Sequence, residues 1–173
     1  MTSLPRLTLV LGGARSGKSR YAEQMLAGHT APLYIATATA GDAEMQARID
    51  RHRRQRGAAW QTREEPLALP AALTEASSPE RPVLVDCLTL WLTNLMEAGR
   101  DIEQEFCVLL TALSGLPGSV VLVGNEVGLG IVPENGMARE FRDHAGRLHQ
   151  QIAARADRVV LMVAGLPLLV KGG

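Results

Sequence analysis

The chain has 173 residues, enough for one domain with its own apolar core, and its 18 basic side chains are matched by 18 acidic ones. That balance excludes a global field drawing it to nucleic acid or an anionic membrane, and two each of Trp, Tyr and Phe leave little for stacking single-stranded bases. Cys87 and Cys107 have no metal or redox spacing and read as buried thiols of a reducing cytoplasm, while no secretory pattern and no membrane-length apolar run is seen.

In chain order, apolar β-branched runs at 7–11, 33–36, 83–86, 120–123 and 159–163 alternate with helical patterns, the signature of a parallel sheet covered by helices. The first helix is expected over 18–27, stopping at Gly28, and the next over 42–56, stopping at Gly57. Segment 65–82 carries a weaker apolar pattern around 67–73 and predicts a short helix with loops. A helix over 88–98 ends at Gly99. Behind a possible Asp101 N-cap, Ile102, Phe106, Leu109, Leu110 and Leu113 then recur at helical spacing. The last helix, 137–156, turns Phe141, Ala145, Leu148 and Ile152 inward. The fold class is α/β, with a mostly parallel central sheet flanked by helices in one domain.

The sharpest motif is Gly12, Gly13, Ala14, Arg15, Ser16, Gly17, Lys18 and Ser19, which satisfies G-x-x-x-x-G-K-[ST] between a strand and a helix. Glycines let successive N–H groups curl around phosphate, and the helix that starts there adds about half a positive charge. Lys18 would reach the β and γ phosphates, and the Ser19 hydroxyl would join the coordination shell of Mg²⁺. A chance glycine-rich turn is a poor account, because lysines are rare in this sequence.

Asp86 closes the strand at 83–86, where an acidic residue is a usual Mg²⁺ partner; the plain alternative is a cap on the helix that follows. Glu126, just beyond 120–123, is a second candidate for metal or general-base work, or else a loop carboxylate.

Five of the 16 arginines fall between Arg48 and Arg56. Helical spacing would align His52 with Met45, Ile49 and Arg56, toward the body of the protein. The bland account is a solvated basic face. The sharper one is an arginine cluster clamping triphosphate oxygens while His52, kept neutral by neighbouring cations, faces the α-phosphate as a nucleophile. His29, His144 and His149 read as structural or surface residues.

GGARSGKSRYAE, YIATA, DAEMQARIDRHR, LVDCLTLWLTNL and NEVGLGIVPENGMAREFRDHAGRLHQ together resemble the bifunctional adenosylcobinamide kinase/adenosylcobinamide-phosphate guanylyltransferase family of cobalamin biosynthesis. The resemblance implies a RecA-like P-loop domain, commonly a homotrimer, in the cytoplasm. It implies two reactions. ATP or GTP phosphorylates the aminopropanol hydroxyl of adenosylcobinamide; a histidine, here His52, then attacks the α-phosphate of GTP, and the guanylyl group passes to the cobinamide phosphate. It also implies nucleotide contacts at Gly12 to Ser19, at Thr37, Ala38 and Thr39, at Arg53, Arg54, Gln55 and Arg56, at Glu64 and at Asp86, with Mg²⁺ held by Ser19 and Asp86. One pocket must offer two different phosphorus atoms in line, so the basic helix is expected to shift or the nucleotide to bind in two poses. A P-loop kinase without guanylyl transfer, or a nucleotide-dependent corrinoid-binding module, are the competing functions.

Overall fold

The structure, a computed structural model, describes residues 4–38 and 59–172. The helix expected over 42–56, with His52, Arg53, Arg54, Gln55 and Arg56, and also Thr39, lies outside the described residues.

The elements follow in the order β1 (Leu7–Gly12), α1 (Lys18–Leu26), β2 (Leu33–Ala36), β3 (Gln61–Glu64), α2 (Leu69–Ala76), β4 (Val83–Asp86), α3 (Leu88–Glu97), α4 (Ile102–Gly115), β5 (Val120–Asn125), α5 (Gly136–Arg155), β6 (Arg158–Val163) and β7 (Leu166–Lys171). They build a seven-stranded sheet in the order β3-β2-β4-β5-β1-β6-β7. Every neighbouring pair is parallel except β6 with β7. The central strands are almost continuously apolar, apart from Thr8 and the strand-end residues Asp86 and Asn125, because both faces are buried, which parallel crossovers require. Alternation along the strands divides the core in two. Leu9, Ile35, Val85 and Leu122 meet α2, α3, α4 and α5 through Leu73, Trp91, Leu109 and Ile152. Val10, Leu84, Val121 and Val160 face the other way, with Ala22 and Leu26 of α1.

Caps define the helix boundaries. Asp101 accepts a bond from the Gln104 N–H at the start of α4, and Asn135 caps α5 by accepting from Ala138. At the end of α3 the Arg100 N–H donates to the Leu95 carbonyl across Gly99, which has φ 62, a closure that needs a left-handed residue.

Two strands lie outside the segments expected as strands. β3 is a short, polar edge strand, QTRE, held by pairing to β2 alone. β7 follows β6 through Ala164 and Gly165, both at positive φ, the two-residue turn whose twist suits a hairpin. One thiol also departs from expectation: Cys87 is buried, but Cys107 is exposed, since it lies outside the inward stripe of α4 formed by Phe106, Leu109, Leu110 and Leu113.

Candidate nucleotide site

Parallel strands deliver their carboxyl ends to one edge of the sheet, and the motif residues collect there. The register sets Ala36 of β2 beside both Glu64 of β3 and Asp86 of β4. Gly12 of β1 lies beside Asn125 of β5 on one side and Met162 of β6 on the other.

The phosphate loop is shaped by backbone dihedrals that side chains resist. Gly12, Arg15 and Gly17 have φ 157, 54 and 94. A Cβ on Gly12 would come within 2.6 Å of Ser16 Oγ and 2.8 Å of the Met162 carbonyl, so the close approach of β1 and β6 requires glycine. The loop is braced from below by the Gly165 N–H, which donates to the Ser16 carbonyl at 3.1 Å. Gly13, Ala14 and Arg15 form an exposed rim, whereas Lys18 is buried and its Nζ donates to the Gly13 carbonyl at 2.6 Å. Ser16 Oγ is buried without a hydrogen-bond partner, an orphan donor inside a loop whose composition suits an anion. Ser19 sits half-buried in the first turn of α1.

Asp86 is half-buried, and one of its carboxylate oxygens accepts from the Tyr34 hydroxyl at 3.1 Å. The reading of Asp86 as a helix cap fails, because the N-cap position of α3 is Cys87 and no side chain caps it. Burial, then the Asp86 charge, pushes the Cys87 thiol up, so it is not a nucleophile at neutral pH.

Thr37 is fully buried, and its polar groups turn inward. Its hydroxyl donates to the Cys87 carbonyl at 2.7 Å and accepts from the Cys87 N–H at 2.8 Å. Its own N–H donates to the Asp86 carbonyl, while the Asn94 amide donates to the Thr37 carbonyl and the Pro66 carbonyl. Thr37 therefore positions the chain entering Ala38 and fixes the Asp86 turn. Glu64 is exposed at the far end of the row. Four strand spacings of about 4.8 Å separate β3 from β1, placing it about 19 Å along the edge from the loop.

Glu126 follows β5 directly, and its N–H donates to the Gly12 carbonyl at 2.9 Å. Its Oε1 accepts from the Gly128 N–H at 2.6 Å. Behind it stands a residue whose importance the sequence did not reveal. His149 of α5 is buried with Nε2 2.7 Å from where a Cβ of Gly124 would stand. Burial lowers its pKa, with the Glu126 charge pulling the other way. Tyr34, Asn94 and Gly124 were likewise missed, because each works through a partner remote in sequence. His144 is structural, edge-on to Phe106 with Nδ1 2.8 Å from Arg147.

The donors at this edge are hard oxygens. Among the described residues no group of three His, Cys, Asp or Glu side chains could hold a metal. A Mg²⁺ carried largely by phosphate and water needs only one or two protein oxygens, and Ser19 with Asp86 fits that demand.

Residues 8–170 match the cobinamide kinase / cobinamide phosphate guanyltransferase family. The chain belongs to this family. It is 53% identical over 167 residues to the bifunctional adenosylcobalamin biosynthesis protein CobP of Pseudomonas aeruginosa, covering 95% of this chain and 96% of that one. To the bifunctional adenosylcobalamin biosynthesis protein CobU of Salmonella typhimurium it is 43% identical over 180 residues, covering 95% and 99%. As a member of the family it is a bifunctional, nucleotide-using transferase of adenosylcobalamin biosynthesis. Solved structures share the fold at low identity. The flagellar accessory protein FlaH of Methanocaldococcus jannaschii aligns with TM-score 0.53 at 11% identity, covering 99% of this chain and 81% of that chain. A type III secretion ATPase aligns with TM-score 0.54 at 11% identity over 92% of this chain and 51% of its own. The fold is that of the P-loop NTPases. No helix among the described residues is long and apolar enough to cross a membrane.

Proposed function

We propose that this chain phosphorylates the aminopropanol hydroxyl of adenosylcobinamide with ATP or GTP, and then transfers GMP from GTP to the product, giving adenosylcobinamide-GDP. The observation that carries the reading is the phosphate loop at the end of β1, in one row with Glu126, Asp86 and Ala36. The triphosphate would lie on the N–H groups of Gly12 to Ser19 with Lys18 released onto its β and γ oxygens. The rest of the nucleotide would extend along the edge past Thr37, Ala38 and Thr39 toward Glu64. Ser19 and Asp86 would hold Mg²⁺, which supplies neutralisation of phosphate charge when bound. Tyr34 orients the Asp86 carboxylate for that role.

In the second reaction an imidazole nitrogen of His52 attacks the α-phosphorus, the bond to the β-phosphate oxygen breaks, and pyrophosphate leaves. A phosphate oxygen of the cobinamide phosphate then attacks the same phosphorus and frees His52. Arg53, Arg54, Gln55 and Arg56 would bind the phosphates during this transfer. The family membership and the arginine-rich sequence support this assignment. A single domain, a homotrimeric assembly and a cytoplasmic setting belong to the same proposal.

Incubation with α-labelled GTP tests the covalent step. Label should stay on the denatured protein, chase off with adenosylcobinamide phosphate, and be absent from His52→Ala. Label-free wild type with intact phosphorylation of adenosylcobinamide would leave a kinase without guanylyl transfer.

A further inference from the structure

Phosphorylating an alcohol requires something to take the hydroxyl proton as the new oxygen–phosphorus bond forms, and that group must stand near the γ-phosphate. Three carboxylates close strands or follow them directly along the row leading to the phosphate loop. Glu64 lies about four strand spacings away. Asp86 has one oxygen committed to Tyr34 and suits the metal position. Glu126 is on β5, the strand paired to β1, and its backbone is bonded to Gly12, the first residue of the loop.

Its carboxylate is also held for use. The Gly128 N–H fixes Oε1 at 2.6 Å, and among the described residues no lysine or arginine forms an ion pair with it. Burial of the neighbouring His149 disfavours its charged form. Soon after Glu126 the chain exposes apolar side chains, Leu129 at 85% and Ile131 at 98%, which an organic substrate could cover.

We infer that Glu126 is the general base of the kinase step. Its free carboxylate oxygen accepts the hydroxyl proton while the alcohol oxygen bonds to the γ-phosphorus. The bond from that phosphorus to the β,γ-bridging oxygen breaks and the nucleoside diphosphate departs. Glu126 afterwards returns the proton to water. Guanylyl transfer starts from a phosphate already ionised near neutral pH and needs no such base, so the carboxylate serves one of the two reactions.

This inference rests on the proposed bifunctional reaction, and the experiment separates the two. Glu126→Gln retains an oxygen to accept from Gly128 but loses basicity. Its kcat for phosphorylating adenosylcobinamide should fall about 100-fold or more, while binding of GTP and labelling of the protein by α-labelled GTP stay within about twofold. Glu126→Asp should recover part of the rate. An undiminished kinase rate in Glu126→Gln overturns the assignment, and so does a parallel loss of nucleotide binding and labelling, which would make Glu126 structural. Wild type that phosphorylates nothing but still binds nucleotide would instead defeat the underlying functional reading.

Discussion

Where β4 ends, the chain turns into the protein; where β5 ends, it runs out to solvent. After Asp86 come Cys87, Leu88 and Thr89, all buried, with Thr37 and Asn94 bonded across the turn. After Glu126 come Val127, Leu129, Ile131 and Val132, all exposed large apolar side chains. Beyond the ladder that pairs β4 with β5, the two ends are joined by a bond from the Asn125 N–H to the Thr89 hydroxyl at 2.7 Å. Two carboxylates that look interchangeable in sequence thus have different surroundings. The first is fixed by its neighbours before any substrate arrives. The second is tied through its backbone to Gly12 and through Oε1 to the Gly128 N–H just two residues on, and the segment that follows it exposes its apolar side chains.

The largest expected effect attacks the β4 end. Thr37→Val preserves shape but leaves both the N–H and the carbonyl of Cys87 without the hydroxyl. The carbonyl keeps its bond from the Trp91 N–H, so the Cys87 N–H alone is orphaned, at a cost of roughly 1–3 kcal/mol, and a loss of about 2 kcal/mol is expected in urea unfolding. A loss under about 1 kcal/mol would mean that this turn is not held by Thr37, and the contrast between the two ends would weaken.

A smaller effect reports on the backing of the β5 end. Burial holds His149 below its ordinary pKa of 6.5, despite the opposing Glu126 charge. The unfolded chain takes up a proton as the pH drops through that value, while the folded chain resists until lower pH. Its stabilising contribution is therefore full above about pH 6.5 and is lost as the pH falls toward the depressed folded value, by at most about 1.4 kcal/mol per pH unit. His149→Gln should flatten the stability profile below about pH 6.5. An unchanged slope in that variant would show that His149 is not the group resisting protonation.

Much of this architecture was legible because its signals are local. β1, β2, β4, β5 and β6 are apolar runs, the phosphate loop is a contiguous motif, and Asp101 caps its helix within three residues. β3 was missed because its polar residues say nothing of the pairing to β2 that makes them a strand. β7 was missed because its residues were read without the Ala164-Gly165 turn. At the site, position along the strand ends identified Asp86 and Glu126. Their partners Tyr34 and His149 were not identifiable, since each pairing depends on which strands and helices become neighbours. The inward use of Thr37 was hidden for the same reason: a threonine after a strand looks the same whether it meets phosphate or Cys87.

The smallest effect on stability should come from the exposed segment after Glu126. Ile131→Ser removes an apolar side chain that is 98% exposed, so folding should change by no more than about 0.5 kcal/mol. Function should respond more. If the corrinoid covers Ile131, withdrawing that contact forfeits part of the roughly 1.5–3 kcal/mol that a buried aliphatic side chain contributes, and KM for adenosylcobinamide should rise about fivefold while KM for the nucleotide holds. A variant whose corrinoid KM is unchanged but whose sedimentation shifts to smaller species would assign that segment to contact between subunits. The β5 end would then be open only in the isolated chain, and the contrast with β4 would be one between an intramolecular and an intermolecular closure.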